Sequence, residues 1–203
     1  MKIGIVNYRM GNIGSVVNAL SLLGVNSVVL RGPDDIAVAD KVILPGVGAF
    51  SAAMANLHEM GWVDGIHHHV RERGRPLLGI CLGMQLLADE SEEGGVTAGL
   101  GLIPGRVVSL TKLNCNQRVP HVGWNAVVPK SDGGILKGIP PGTDFYFVHS
   151  YVFQADVDDH VAGVTEYGCQ FTSVVSHADV AGAQFHPEKS SKAGARLLKN
   201  FLE

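Results

Sequence analysis

"LLGICLGMQLL", Leu77–Leu87, joins a short, continuous apolar run to a segment with apolar residues at helical spacing. An apolar run of this length that ends at Gly-Ile-Cys-Leu-Gly predicts a buried strand that turns sharply into a helix. Gly79 and Gly83 flank Cys81, and glycine is the residue that a crowded turn of this kind requires. The stretch therefore predicts a strand–turn–helix unit with a cysteine at its apex.

The N-terminal half repeats this alternation of strand and helix. Strand-like segments at "KIGIVNY", "NSVVLRG" and "DKVILPGVG" alternate with helical patterns at "IGSVVNALSLLG" and "FSAAMANLHEM". Short apolar strands that alternate with helices indicate a parallel sheet that is covered on both faces. We expect an α/β fold with a doubly wound, mostly parallel central sheet.

The C-terminal half reads differently. "RVVSL", "HVGWNAVV", "DFYFVHSYVFQ", "VAGVTEYG", "FTSVVSH" and "VAGAQFHPE" follow one another as strands, separated by turn residues. They predict a mixed or antiparallel extension of the sheet. "SSKAGARLLKNFLE" predicts a final helix with serine near its start, a residue type that favours helix N-caps.

Composition limits the class of protein. The 203 residues are 46% hydrophobic, which supports a single domain, residues 1–203, with an ample core. A formal net charge of −3 gives no strongly basic face, so nucleic acid is not expected as a partner. No apolar run approaches the ~18 residues of a membrane span, and the N-terminus lacks the features of a signal peptide. We expect a cytoplasmic domain without a membrane partner.

The cysteine and histidine patterns do not predict a metal site. Cys81, Cys115 and Cys169 are odd in number and form no C-x-x-C motif, which argues against a disulfide framework and a zinc site. His67 to His69 are consecutive, and consecutive helical residues point in different directions. We interpret them as part of a solvated helix end rather than as metal ligands.

Gly79 to Gly83 have the form of a nucleophile elbow, Gly-x-Ser-x-Gly, with Cys81 in the place of serine. The elbow holds its nucleophile at the carboxyl edge of the sheet, at a helix N-terminus that favours a thiolate. The amide N–H of Leu82 would then be available to an oxyanion. The alternative is a small apolar core residue that precedes a helix.

A nucleophilic cysteine needs a base, and "QFHPE", Gln184–Glu188, offers one. In an extended chain His186 and Glu188 would point to the same side, and Pro187 would end the strand there. Glu188 could then orient His186 and stabilise its imidazolium. The alternative is an incidental histidine in a surface turn, and the order Cys, His, Glu differs from that of α/β-hydrolases.

The segment "LPGVGAF", Leu44–Phe50, follows a predicted parallel strand at its carboxyl end, where α/β proteins place ligands. A glycine-rich loop of this kind can present backbone N–H groups to an anion. An ordinary strand-to-helix turn is the alternative.

The combination of "PGVG", "GICLGMQ" and "QFHPEKS" resembles the class I, or triad, glutamine amidotransferases, over essentially the whole chain. Within that family, "MGNIGSV", "PHVGWN" and "FYFVHSY" are similar to the glutaminase subunits of imidazole glycerol phosphate synthase, an enzyme of histidine biosynthesis. One departure is the first turn, where Asn7, Tyr8 and Arg9 stand in place of the Asp-Tyr-Gly that is frequent in the family.

The resemblance implies a triad in which Cys81 attacks the side-chain amide of glutamine, His186 transfers the proton to the leaving ammonia, and Glu188 orients His186. Water would then hydrolyse the glutamyl thioester. The oxyanion would be held by the amide of Leu82 and by one from the segment Val47–Gly48. The residues implied in binding glutamine are Gln85, Ser150 and Tyr151. No cofactor and no metal are implied.

The resemblance also implies a partner. The chain continues only to Glu203 beyond the triad, so we expect the acceptor of ammonia to be a separate protein. It would be a (β/α)8-barrel cyclase subunit, paired with this chain as a heterodimer. That subunit would combine ammonia with a phosphoribulosyl formimino intermediate to give imidazole glycerol phosphate and an aminoimidazole carboxamide ribotide. Asn12, Tyr146 and Lys189 would face it.

Three other functions remain open at this point. A triad glutaminase could deliver ammonia to another acceptor, such as a sugar amidation enzyme, whereas "PGVG" and "YFVHSY" argue against the pyridoxal phosphate and anthranilate systems. A cysteine peptidase or chaperone of a related fold would not need Gln85 or the glutamate two residues after the histidine. A non-catalytic regulatory subunit would not need an intact set of Cys81, His186 and Glu188.

Overall fold

The computed structural model describes all residues, Met1–Glu203, and contains five α-helices and thirteen strands. The helices are α1 (Ile13–Leu22), α2 (Phe50–Glu59), α3 (Trp62–His67), α4 (Leu82–Gln85) and α5 (Ser191–Leu202). The strands of the first half are β1 (Ile3–Val6), β2 (Ser27–Leu30), β3 (Lys41–Gly46), β4 (Leu77–Cys81), β5 (Glu90–Ser91) and β6 (Thr97–Ala98). Those of the second half are β7 (Gly105–Ser109), β8 (His121–Pro129), β9 (Thr143–His149), β10 (Tyr151–Ala155), β11 (Val161–Glu166), β12 (Gln170–His177) and β13 (Val180–Ala183).

The sheet has a parallel half and a mostly antiparallel half. Strands β2, β1, β3, β4 and β13 lie side by side in that order and run parallel. From β13 the sheet continues through β12, β10, β7, β5 and β6, while β11, β8 and β9 branch from β12. The predicted fold class is confirmed, including the antiparallel extension.

The parallel strands bury side chains on both faces. Ile43 and Leu78 pack into a cluster with α1 and α5, whereas their neighbours Val42 and Leu77 pack into a second cluster with α2 and α3. Burial of one such side chain is worth about 1.5–3 kcal/mol, so both faces contribute to stability. This is why the sequences of these strands are continuous apolar runs.

None of the helices combines the length and the apolar character that a membrane crossing requires.

Two predicted elements are shorter than expected. The segment "DFYFVHSYVFQ" is two strands, β9 and β10, which are interrupted at Ser150. The helix after Cys81 is a single turn, because the backbone N–H groups of residues 100–103 bind the carbonyl groups of residues 86–88. These competing hydrogen bonds come from a segment that is distant in sequence, and they end the helix.

The expected serine cap of the last helix is wrong. Ser190 precedes α5 but makes no capping hydrogen bond. Its Oγ donates to the carbonyl O of His186 at 2.6 Å and accepts from the backbone N–H of Tyr146 at 3.0 Å. The hydroxyl therefore ties the turn at His186 to β9.

The carboxyl ends of three parallel strands lie next to one another. Gly46 at the end of β3 pairs with Cys81 at the end of β4, and Ala183 at the end of β13 pairs with Ile80. The three segments that the sequence singles out follow these strand ends, so they meet at one edge of the sheet.

Candidate active site

Cys81 occupies a strained turn between β4 and α4. Its φ of 55° and ψ of −111° are values that residues other than glycine rarely adopt. A Cβ atom at Gly83 would overlap the carbonyl O of Leu44, and one at Gly79 would lie 2.5 Å from the carbonyl O of Gly83. Glycine at both positions therefore lets the chain turn this tightly against the neighbouring strand.

His186 and Glu188 form a buried pair beside Cys81. The Nδ1 of His186 is 2.8 Å from Oε1 of Glu188, and the two side chains are 4% and 2% exposed. Cys81 and His186 line the same cleft, so the imidazole faces the thiol. The extended conformation expected for this segment is wrong, because β13 ends at Ala183 and residues Pro187–Lys189 form a 3-10 turn. The turn, rather than strand alternation, brings the carboxylate to the ring.

The protonation of His186 is set by opposing effects. Burial lowers the pKa of this imidazole, but its interactions with Cys81 and Glu188 outweigh burial and raise the pKa to about 9. An imidazole that keeps its proton at neutral pH can deliver that proton to a leaving group, and its positive charge lies beside the sulfur. The arrangement can supply both a nucleophile and a proton donor.

Cys81 opens into a cleft of about 340 Å³, within the size range of small-molecule sites. The cleft is also lined by every residue that the sequence analysis assigned to glutamine or to the oxyanion: Val47, Gly48, Leu82, Gln85, Ser150 and Tyr151. His186 and Lys189 complete the wall near the sulfur. Residues from four separate segments thus meet around one small cavity.

The side chain of Gln85 is held in one orientation. Its Nε2 donates to the carbonyl O of Tyr151 at 2.9 Å and to Oε1 of Gln184 at 3.0 Å. Both contacts use the amide nitrogen, so Oε1 of Gln85 is left to accept a hydrogen bond. Because Gln85 lines the cleft, that oxygen is positioned as a possible ligand contact.

Two buried histidines beside the cleft were missed as site residues. Nε2 of His149 is 2.9 Å from Nδ1 of His121, and Nδ1 of His149 is 3.0 Å from the carbonyl O of Tyr151. A carbonyl can only accept, so Nδ1 of His149 carries the proton and Nε2 accepts one from His121. Burial lowers the pKa of His121 to about 4 and that of His149 to about 3, so both are neutral at physiological pH. The pair fixes the strand end that leads to Ser150. Both histidines lie in segments, "PHVGWN" and "FVHSY", that were used in the sequence analysis only to identify the family.

The second oxygen of Glu188 is buried and makes no hydrogen bond within the protein. It borders a small void that is also lined by Asn12 and Val47. Asn12 caps α1, since its Oδ1 accepts from the backbone N–H of Ser15 at 3.4 Å. A residue expected to face the partner therefore lies close to both the triad and the glycine loop.

An exposed apolar strip runs across β8 and β9. Trp124 pairs with Tyr146 and Val122 pairs with Val148 across the two strands, and Trp124 is 54% exposed. We call these four residues the β8–β9 strip. The Nζ of Lys189 lies 5.9 Å from the ring centroid of Tyr146, at the border of the strip. Tyr146 and Lys189 were predicted from the sequence, but Val122, Trp124 and Val148 were missed. Val122 and Trp124 are two residues apart in "HVGW", a spacing that places both on one face of a strand.

The departure in the first turn has a local explanation. Arg9 has a φ of 68°, in the left-handed region that favours glycine, the residue frequent in the family at this place. Oδ1 of Asn7 accepts from the backbone N–H of Arg9 at 3.2 Å, a contact that an aspartate could also make. The turn thus keeps its shape with a different pair of residues.

The three consecutive histidines do not converge. His67 bonds to the carbonyl O of Leu100 at 2.7 Å, and His68 bonds to Glu72 at 2.7 Å. His69 is fully buried, and burial lowers its pKa to about 4. The expected solvated helix end is therefore wrong for His69, which packs into the protein as a neutral side chain.

Comparison with known proteins agrees with this geometry. Residues 5–203 match the family described as "Glutamine amidotransferase class-I". A protein of Moorella thermoacetica named "Imidazole glycerol phosphate synthase subunit HisH" is 52% identical over 201 residues, which is 99% of this chain and 94% of that protein. A Methanococcus maripaludis protein named "Imidazole glycerol phosphate synthase subunit HisH 2" is 42% identical over 201 residues, 99% of this chain and 98% of that protein.

Solved structures share the fold at lower identity. A crystal structure described as a glutamine amidotransferase has a TM-score of 0.78 at 21% identity, and the match covers 98% of this chain and 96% of that one. The structure of PurLQS from Thermotoga maritima has a TM-score of 0.75 at 17% identity, covering 99% of this chain and 97% of the matched chain.

Proposed function

The chain belongs to the class-I glutamine amidotransferases, and from this we propose that it is the glutaminase subunit of an imidazole glycerol phosphate synthase. The observation that carries the reaction is the meeting of Cys81, His186 and Glu188 at one cleft. The choice of acceptor is supported by the names of relatives that are 40–52% identical over nearly the whole chain.

The proposed reaction has two half-reactions. The Cys81 thiolate attacks the amide carbon of the glutamine side chain, the carbon–sulfur bond forms, and the carbonyl electrons move to oxygen. His186 gives its proton to the amide nitrogen, and ammonia leaves as the glutamyl thioester forms. The neutral imidazole then takes a proton from an attacking water, and glutamate departs as the thiolate and imidazolium are restored. Glu188 stabilises the imidazolium in both steps.

The oxyanion needs donors that point at the new negative charge. We assign this role to the N–H of Leu82, at the start of α4, and to one N–H of the Val47–Gly48 segment, since both line the cleft. Loss of one such donor reduces turnover by about 10²–10³. Gly46 and Gly48 flank Val47, so this peptide can rotate at little steric cost and supply or withdraw its donor. The isolated chain is therefore proposed to be a poor glutaminase.

The substrate is proposed to bind through three residues of the cleft. Oε1 of Gln85 is free to accept a hydrogen bond from glutamine, because its amide nitrogen is already engaged. Ser150 separates β9 from β10, Tyr151 begins β10, and both line the cleft, where they can contact an amino-acid ligand.

The ammonia acceptor is proposed to be a separate cyclase subunit with a (β/α)8-barrel fold. The β8–β9 strip, with Lys189 at its border and Asn12 beside the triad, is an exposed aromatic and aliphatic surface of the kind that protein partners cover. Ammonia released behind this surface would react with a phosphoribulosyl formimino intermediate. The products would be imidazole glycerol phosphate and an aminoimidazole carboxamide ribotide.

The experiment that tests this function is reconstitution with candidate partners. The chain is co-purified with barrel cyclase subunits, and product is measured with glutamine as the nitrogen source. A stable complex that forms imidazole glycerol phosphate from glutamine supports the proposal. Glutamine hydrolysis that transfers ammonia only to another synthase, such as a sugar amidation enzyme, would establish the alternative acceptor.

A further inference from the structure

Gln184 is a buried amide beside the reactive sulfur, outside the triad of Cys81, His186 and Glu188. It follows β13 directly and is fully inaccessible to solvent. Its backbone N–H donates to the carbonyl O of Ser173 at 2.9 Å, which fixes it against β12. Its side-chain Nε2 lies 3.9 Å from Sγ of Cys81. A buried polar group with so few partners needs an explanation.

The orientation of this amide follows from its neighbours. The group of Gln85 that contacts Tyr151 must be the amide nitrogen, because the partner is a carbonyl oxygen that can only accept. The same nitrogen faces Gln184, so the atom of Gln184 at that contact must be Oε1. The other end of the Gln184 amide is therefore its NH₂ group, and that group faces Cys81.

The sulfur thus has a different partner for each protonation state. The carbonyl O of Val148 lies 3.8 Å from Sγ and can accept a hydrogen bond from a neutral thiol. The NH₂ group of Gln184 can donate only to the unprotonated sulfur. We propose that Gln184 is a second hydrogen-bond donor to the Cys81 thiolate, besides His186, and holds it ready for attack. The inference rests on the proposed role of Cys81 as nucleophile.

Because the donor contacts the reacting atom, its loss should change the reactivity of the sulfur and not only the stability of the fold. The contact is long, so we expect an effect at the low end for a hydrogen bond to a charged group. Gln184→Leu should slow alkylation of Cys81 by iodoacetamide up to about tenfold at pH values below the midpoint of its alkylation–pH curve, where the thiolate is the minor form. The midpoint of the alkylation–pH curve should move up by about one pH unit.

The measurement is alkylation of the full chain across pH, followed peptide by peptide with mass spectrometry. Cys115 and Cys169 are free thiols distant in sequence from the site, and their rates serve as internal references for an intact fold. Gln154→Leu, on the exposed side of β10, is the matched control and should leave the Cys81 curve unchanged. Gln184→Met also removes the donor, is closer to glutamine in length and adds no charge, so it should raise the midpoint by a similar amount; it decides the question if Gln184→Leu does not fold.

An unchanged Cys81 midpoint in a folded Gln184 variant would overturn the inference. That result would leave the proposed function intact, provided that Cys81 of the wild-type chain reacts at lower pH than free cysteine does; free cysteine is the standard here because burial and Cys115 raise the pKa of Cys169 to about 11. If wild-type Cys81 shows no such preference, the assignment of the nucleophile fails as well. The two failures are therefore distinguished by the wild-type curve alone.

Discussion

Replacement of Glu188 by glutamine isolates the contribution of the carboxylate to the triad. Glutamine can still accept the hydrogen bond from Nδ1 of His186, now 2.8 Å from Oε1 of Glu188, but it carries no charge. The rise in the pKa of His186 from 6.5 to about 9 corresponds to roughly 3 kcal/mol of net stabilisation of the imidazolium. Interactions with both Cys81 and Glu188 contribute to this stabilisation, so we assign about 1–2 kcal/mol of it to the Glu188 carboxylate. We expect turnover to fall about 5–30-fold.

The assay is glutamine hydrolysis at saturating glutamine in the assembled complex, with His186→Ala as the comparison. Removal of the base itself should cost about 10⁴-fold, far more than removal of its orienter. The pH profile adds an independent readout: with the carboxylate gone, burial is less opposed, the pKa of His186 falls, and the alkaline limb of activity moves to lower pH. A reversed ranking of the two variants, or an unmoved alkaline limb, would refute these roles.

Linkage predicts a matching effect on stability. The folded-state pKa of His186 is raised above its unfolded value of 6.5, so its stabilising contribution is complete below about pH 6.5 and is lost as pH rises toward 9. Glu188→Gln should therefore destabilise the protein more at pH 6 than at pH 9, and denaturant unfolding at the two pH values measures this. Equal losses at both would contradict the assigned cause of the shift.

Three further outcomes are expected. Gly83→Ala should lose several kcal/mol of stability, because the added Cβ would overlap a carbonyl oxygen of β3. Gly14→Ala in α1 should gain up to about 1 kcal/mol, because no atom lies within 4 Å of the added Cβ. Thermal unfolding compares the two variants, and equal shifts in melting temperature would contradict this explanation. Glutamine hydrolysis by the wild-type chain alone should be slow and should rise strongly when the partner and its acceptor ligand are added. Lys189→Ala should weaken that rise while the triad stays competent. Equal wild-type rates with and without the partner would contradict the proposal that the Val47–Gly48 peptide supplies its donor only in the complex. Trp124→Ala should weaken partner binding at least tenfold in a titration, with Leu22→Ala, exposed outside the strip, as the neutral control; an equal affinity for both variants would remove the strip from the interface.

Much of the fold follows from local pattern. Continuous apolar strands such as β3 and β4 could only belong to a sheet buried on both faces, and the glycines around Cys81 marked the turn where a strand meets a helix. Residues that follow the carboxyl ends of parallel strands meet at one edge, so their proximity could be predicted before any contact was known.

What the sequence could not predict are the partners of polar groups. Ser190 was expected to cap the last helix, but its hydroxyl instead bonds to the backbone of His186 and Tyr146. His69 lies in a polar stretch of sequence but is fully buried. The orientation of the Gln184 amide depends on Gln85, which lies 99 positions earlier. Such contacts are set by tertiary structure and leave no periodic signal.

The most direct test of the central claim uses Cys81→Ala in the complex with the cyclase subunit, supplied in parallel with glutamine and with an ammonium salt. The account predicts that glutamine-dependent product formation is lost, because no thioester can form, while ammonium-dependent formation proceeds at the wild-type rate, because the acceptor chemistry lies on the partner. Glutamine-dependent synthesis at the wild-type rate would contradict the assignment of Cys81 as the nucleophile.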